Sequence, residues 1–473
     1  MSRKACVVGA GPNGLSAAIV LAQAGLRVEV LEAQSTAGGG ARTLELTLPG
    51  FRHDFGSAVY PFAAGSPFFS SLPLIDHGLQ WIHSPAALAH PLDDGTAVML
   101  ERNLHATTES LGIDGRAWDN LVRPFVERWS EFGPDVLHPF PFIPKHPWLM
   151  ARFGTVAIRS ARAVASRFQS ERARALFAGL AAHSFLSLNE PLSAAFAILL
   201  ATLAHAVGWP IPRGGAQSIT DALCGHLSTF GGEVNTSSPV ESLAALKNYD
   251  LVLCDLTPQQ LTRIGGQRLS AGYKRQLQKY RYGAGVFKVD YALNAPLPWK
   301  ARECFRAATV HLGGTFEEIA ASEKTIRSGQ NADRPFVLLA QPSLFDSTRA
   351  PAGKHTAWAY CHVPNGSDVN VLQRLEDQID RFAPGFRDCI LARRVFYPAD
   401  LEKMDANLIG GDIAGGIVDI HQFLFRPTWR HYRTSAREIY ICSASTPPGG
   451  GVHGMCGFHA ARMALSRLNG SQP

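Results

Sequence analysis

A short apolar, β-prone run near the amino terminus breaks into three spaced glycines: KACVVGAGPNGLSAA carries Gly9, Gly11 and Gly14 in G-x-G-x-x-G spacing. No other feature restricts the fold as strongly, because each glycine answers a separate steric demand. Gly9 permits a tight turn after a strand, Gly11 lets the backbone approach a ligand, and Gly14 lets a helix lie close against the strand. The stretch from about 12 to 25 is small and helical with Gly25 as its stop, and Leu26 to Leu31 is a second apolar strand. Strand, glycine turn, helix and strand make one βαβ unit. The helix opens at Pro12 and Asn13, and its unpaired N–H groups and partial positive charge form an anion site.

Glu32 closes the second strand in VEVLE, about 20 residues beyond the glycines, and Ala33 follows it. A carboxylate there accepts a hydrogen bond from a ribose hydroxyl and repels a 2′-phosphate, so the expected ligand is FAD or NAD and not NADP. GGGAR at 38–42 brings Gly39, Gly40, Ala41 and Arg42 to the same pyrophosphate, where a fixed guanidinium neutralises phosphate oxygens. A second glycine loop, GGGVHG at 449–454, opens a helix at the far end of the chain. Two glycine turns from opposite ends clamp one long cofactor, which favours resident FAD over a nicotinamide that must come and go.

A chain of 473 residues exceeds what one core usually supports, so two domains are expected. The formal charge of +6 is mild, and no basic stripe with base-reading aromatics is present, so nucleic acid is not an expected partner. The eight cysteines, at 6, 224, 254, 304, 361, 389, 442 and 456, show no CxxC spacing. That argues against a metal site or a redox disulfide and fits a reducing, cytoplasmic compartment. The first apolar run turns straight into the glycine loop and reads as a strand, not a signal peptide. The apolar segment Pro191–Val207 is slightly short of the roughly 20 residues of a spanning helix. In RFGTVAIRSARAVASRF, Phe153, Val156, Ala161, Val164 and Phe168 share a helical face while four arginines spread over the rest. This reads as a solvated helix on a packed domain, with peripheral contact at an anionic membrane surface as the alternative. GGEVNTSSPVESL and YDLVLCDLTP read as paired strands with a turn, strand-like runs dominate from about 280 to 430, and a helix is expected at 368–382.

GAGPNGLSAA, Glu32, GGGAR and CSASTPPGGGVHGMCGFHAA together resemble the phytoene desaturase and amine oxidase superfamily of FAD enzymes. HLGGTFEEIA at 311, WAYCHVP at 358 and GGDI at 410 resemble its phytoene-dehydrogenase-related subgroup, whose animal members are called pyridine nucleotide-disulfide oxidoreductase domain-containing proteins. That subgroup name misleads here, since no CxxxxC redox disulfide is present. The resemblance implies an α/β fold: a discontinuous Rossmann-type FAD-binding domain from 1–60, 213–270 and 436–473. An α+β substrate domain with a mixed sheet and helical cap then takes 61–212 and 271–435. It also implies that the backbone around Val240 meets the adenine end and that Gly450, Gly451, Val452 and His453 lie along the flavin.

Two side chains are candidates for the chemistry. Lys288, in the strand-like AGVFKVDYAL, resembles the amine oxidase lysine that holds a water against flavin, with an edge or surface lysine as the plain alternative. His453 is a candidate for tuning the ring or accepting a proton, and a structural imidazole is the alternative. His183, His205 and His362 are read as packing residues, and Glu317 with Glu318 as a favourable helix-start charge pair. The expected activity is dehydrogenation or desaturation of a small, largely apolar substrate, isoprenoid-like or alicyclic, by hydride transfer to flavin, with oxygen or a quinone as acceptor. Amine oxidation is the enzyme alternative, although STPPGGGVHGM lacks the aromatic residues that cage an amine. Redox-neutral isomerisation and a non-catalytic FAD-binding regulatory or interaction role are the others.

Overall fold

The computed structural model describes residues 3–468 and 470. The glycine motif forms the expected unit: strand Lys4–Val8, helix Pro12–Gln23 and strand Arg27–Leu31. Proline opens the helix, where its missing N–H costs nothing. Gly9 takes a φ of +100°, which side-chain-bearing residues rarely adopt. A Cβ on Gly14 would lie 2.1 Å from the Gly9 carbonyl oxygen, so only glycine lets the helix start this close to the strand.

A five-stranded parallel sheet grows around this unit, in the order Ile439–Ile441, Leu251–Cys254, Lys4–Val8, Arg27–Leu31 and Glu233–Asn235. Its strands come from three distant stretches of the chain. The segments around 234 and 252 do not pair with each other as the sequence suggested, since two strands stand between them. The fully buried LVLC run marks a central parallel strand covered on both faces, whereas a hairpin strand would alternate.

The second sheet has seven strands, ordered Ile390–Phe396, Gly285–Leu293, His355–Val363, Val337–Ala340, Thr309–Leu312, Ala86–Pro91 and Ala97–Glu101. All its neighbours are antiparallel except the junction of Thr309–Leu312 with Ala86–Pro91. Helices between Leu104 and Ala206 cap it, and the apolar segment near 200 is the helix Ser193–Ala206. Among the described residues no helix is long and apolar enough to cross a membrane. The basic segment splits into Pro147–Ala157 and Ala161–Ala165, with the Ser160 hydroxyl capping the second helix. Its apolar face is already used: Ala161, Val164 and Phe168 are buried in the cap core, with Phe153 and Val156 packed against them. Glu318 completes a capping box with Thr315, while Glu317 pairs with Arg162 and Arg174. The expected helix near 368–382 runs Leu372–Phe382.

The closing helix Met455–Leu468 lies directly on the opening helix. A Cβ on Gly457 would fall 1.8 Å from the Asn13 carbonyl oxygen. Gly457→Ala should therefore push the two ends of the chain apart and destabilise the fold by about 2 kcal/mol. An unchanged urea midpoint would contradict that contact.

Candidate functional site

The carboxyl ends of the parallel strands open into one cavity of about 800 Å³, which continues beneath the helical cap to the second sheet. Gly9, Gly11, Pro12, Asn13, Glu32, Ala33, Gly39, Gly40, Ala41, Arg42, Val240, Gly450, Gly451 and Val452 all line it, although they come from four separate parts of the chain. Three predicted residues do not: Gly14, Lys288 and His453 stand behind the wall.

At the strand end each group has a defined job. Glu32 is fixed by two amides, its Oε2 accepting from Ala10 N–H at 2.8 Å and its Oε1 from Gln34 N–H at 2.8 Å. The Gly14 N–H is taken by Asp255 Oδ2 at 2.9 Å and Pro12 has none, so Gly11 and Asn13 keep the amides of the helix start that have no partner among the described residues. Arg42 stacks over Phe55 at 4.9 Å and donates to the carbonyls of Gly39 at 2.7 Å and Met404 at 2.9 Å. Its Nη1 has no partner among the described residues. These free donors at a helix amino terminus are the chemistry a diphosphate requires. The cradle also has the room: Gly11 faces only the Asp255 carboxylate, which a Cβ would meet at 2.7 Å.

Asp255 and Asp405 were missed in the sequence. Asp255 ends the run LVLCD just as Glu32 ends VEVL, and that shared pattern of a carboxylate closing a buried strand was the available signal. Burial, reinforced by Asp405 and Glu32, raises the Asp255 pKa to about 8. Burial raises Asp405 as well, against the pull of the Asn407 amide and Arg42. Burial lowers Arg42, with Asp405 and Glu32 opposing.

The carboxy-terminal loop runs between two walls. A Cβ on Gly450 would fall 2.5 Å from the Ala414 carbonyl oxygen, and Gly451, at a φ of +123°, faces Phe62. His453 is buried behind this loop: its Nδ1 accepts from Met455 N–H at 3.0 Å, its carbonyl accepts from Ser66 Oγ at 2.6 Å, and burial lowers its pKa to about 4. It is a neutral imidazole that shapes the start of the closing helix.

Beneath the cap the cavity becomes an aromatic lobe, walled by Tyr60, Phe62, Phe185, Phe196, Trp358 and Tyr360, with His183 and Trp209 at its side. Lys288 lies one layer behind Trp358, with its ammonium 5.7 Å from that ring and 5.2 Å from Phe396. It forms an ion pair with Asp290, beside His53 and the buried Asp54–Arg349 pair. Burial pushes Asp290 up to about 6 and Lys288 down. All eight cysteines are free, and among the described residues no group of three or more His, Cys, Asp or Glu is placed to hold a metal.

Residues 7–72 match the family model described as an NAD(P)-binding Rossmann-like domain. The chain is similar to pyridine nucleotide-disulfide oxidoreductase domain-containing protein 2 of Mus musculus, at 25% identity over 98% of this chain and 93% of the relative. It is also similar to the lycopene-forming phytoene desaturase of Pseudescherichia vulneris, at 23% identity over 98% and 99%. Putrescine oxidase, solved with putrescine bound, has the same fold, with a TM-score of 0.60, 17% identity and 99% of each chain covered. The relatives thus include an oxidoreductase domain-containing protein and a phytoene desaturase, and the fold is shared with putrescine oxidase.

Two stability predictions follow from the buried charges. Below its ordinary value of 3.8, Asp255 is protonated folded and unfolded alike; between there and about 8 only the folded chain keeps the proton, so stability falls as pH rises. Asp255→Asn keeps an acceptor for Gly14 and should flatten this fall in the apoprotein's melting temperature, and parallel profiles for both proteins would refute it. Lys288→Met should cost about 3–5 kcal/mol by leaving Asp290 buried without its partner. A denaturation midpoint equal to the wild type's would show that the pair is not buried as described.

Proposed function

We propose that this chain is an FAD-dependent oxidoreductase that dehydrogenates or desaturates a largely apolar small molecule, with oxygen or a quinone as final electron acceptor. The observation that carries the reading is the continuity of the cavity: a diphosphate cradle at one end and an aromatic lobe at the other share one space. When bound, the flavin supplies the site that accepts the hydride. The amides of Gly11 and Asn13 and the free Nη1 of Arg42 would hold the diphosphate, Glu32 the ribose and the backbone near Val240 the adenine. Gly450, Gly451 and Val452 would form the floor beside the ring, where the missing side chains allow a flat group to lie against the backbone. The aromatic walls exclude water from the reacting carbon and suit an apolar skeleton.

In this reading Lys288 and His453 are positioning residues. Lys288 backs Trp358, and His453 fixes the loop that carries Val452. A second reading, oxidation of an amine, is favoured by one feature: Tyr60, Trp358 and Tyr360 supply the rings that the closing loop lacks. The basic segment near 152–168 gives no support to peripheral membrane contact, since its apolar face is packed in the cap core.

Gly11→Val should abolish flavin retention, because its side chain would enter the diphosphate space and strike Asp255. The measurement is visible absorbance per protein after desalting. A variant as yellow as the wild type would remove the glycine turn from the cofactor site.

A further inference from the structure

One wall of the diphosphate cradle comes from the other half of the molecule. Residues 404–408 continue from the helix Pro398–Met404, which packs on the seven-stranded sheet, and all of them line the cavity. They run from one flank of Gly11 to the other. At the glycine-loop flank the Met404 carbonyl accepts from Arg42 Nη2 at 2.9 Å, and a Cβ on Gly39 would lie 3.4 Å from the Gly11 Cα and 3.5 Å from Asp405 Oδ2. At the strand-end flank, where a Cβ on Gly11 would meet the Asp255 carboxylate, the Asn407 side chain makes two bonds. Its Nδ2 donates to the Asp255 carbonyl at 2.9 Å, and its Oδ1 accepts from Thr257 N–H at 2.8 Å. Next to it the Ala406 carbonyl accepts from Gln260 Nε2 at 2.9 Å. The segment bridges both flanks of the glycine whose amide would hold the diphosphate.

This bridge is stiff in itself and held to the parallel-sheet half by few groups. Asp405 Oδ1 accepts from Asn407 N–H at 3.0 Å, and the Asp405 carbonyl accepts from Leu408 N–H at 2.9 Å, a local turn that presents the Asn407 amide in one direction. The apolar side chains, Met404 and Leu408, pack on the cluster that holds Trp358, Phe396 and Leu401, on the side of the second sheet. The fasteners on the parallel-sheet half are therefore the hydrogen bonds to Arg42, Asp255, Thr257 and Gln260. Arg42 also faces the diphosphate space, whereas the Asn407 side chain spends both its polar atoms on protein partners. Asn407 can act on a bound nucleotide only through the segment it fastens.

We propose that residues 404–408 form a strap that must lift for FAD to enter or leave, and that Asn407 is the positioning residue that keeps it seated. The inference rests on the cavity holding FAD, as the proposed function states. The fasteners are protein groups on both sides, so they act with or without the cofactor. Loosening them speeds uptake and release together and leaves the affinity nearly unchanged. A residue that only touched the cofactor would change release and affinity in step.

Rapid-mixing fluorescence measures both directions: uptake from the quenching of free FAD by apoprotein, and release from the emission regained when holoprotein is diluted. Gln260→Ala removes one fastening bond and should speed both rates about fivefold, and Asn407→Ala removes two and should speed both about twentyfold, with Kd held within about twofold. Unchanged rates in both variants, or faster release matched by an equal loss of affinity, overturn the strap. If Asn407→Ala fails to fold, Gln260→Ala decides by the same two rates. Visible absorbance of the wild type separates the two levels: a colourless protein that refuses FAD sinks the cofactor reading and the strap with it, while a yellow wild type with unaltered variant rates sinks the strap alone.

Discussion

The close approach of three chain segments around the first glycine turn is the contact on which the rest of the molecule depends. The Gly9 carbonyl, the Gly14 N–H and the Asp255 carboxylate meet on one side of the opening helix, and Gly457 presses on Asn13 from the other. Residues 255 and 457 lie far from the turn in sequence, so the turn ties the middle and end of the chain to its start. None of these contacts tolerates a Cβ without movement. The link from Gly14 to Asp255 joins one amide to a carboxyl whose burial cost exceeds what one hydrogen bond returns, so the carboxyl keeps its proton to about pH 8. That protonation matters to the cradle: Glu32, Asp255 and Asp405 crowd a site suited to a diphosphate, and a neutral Asp255 removes one opposing charge from it.

Local geometry is what the sequence recorded most faithfully. Gly9, Gly11, Glu32, Arg42 and Gly450–Val452 could be placed because each answers a steric or electrostatic demand within a few residues of itself. The neighbours of the strand Leu251–Cys254 were less legible, because strand order in a parallel sheet is set by crossovers and not by the strand's own residues. Its unbroken apolar run did carry the information that it was central.

Lys288 illustrates a different limit. Alternation along Gly285–Leu293 correctly separates it from Phe287 and Val289, which face another core cluster. It does not say what waits on the lysine's side. There the strand offers Asp290 two residues on, and the fold adds His53, Asp54 and Arg349 from distant segments, so the ammonium is neutralised before it reaches the cavity.

The buried ion cluster behind the aromatic lobe acts on it without entering it. The ion cluster shapes it from behind: Trp358 donates its indole N–H to the Asp54 carbonyl at 2.9 Å and turns its ring toward Lys288, so one wall of the lobe is fixed by charges that never touch the cavity. A buried ion pair contributes little net stability, and holding a bulky ring at a set position is a use that survives that accounting.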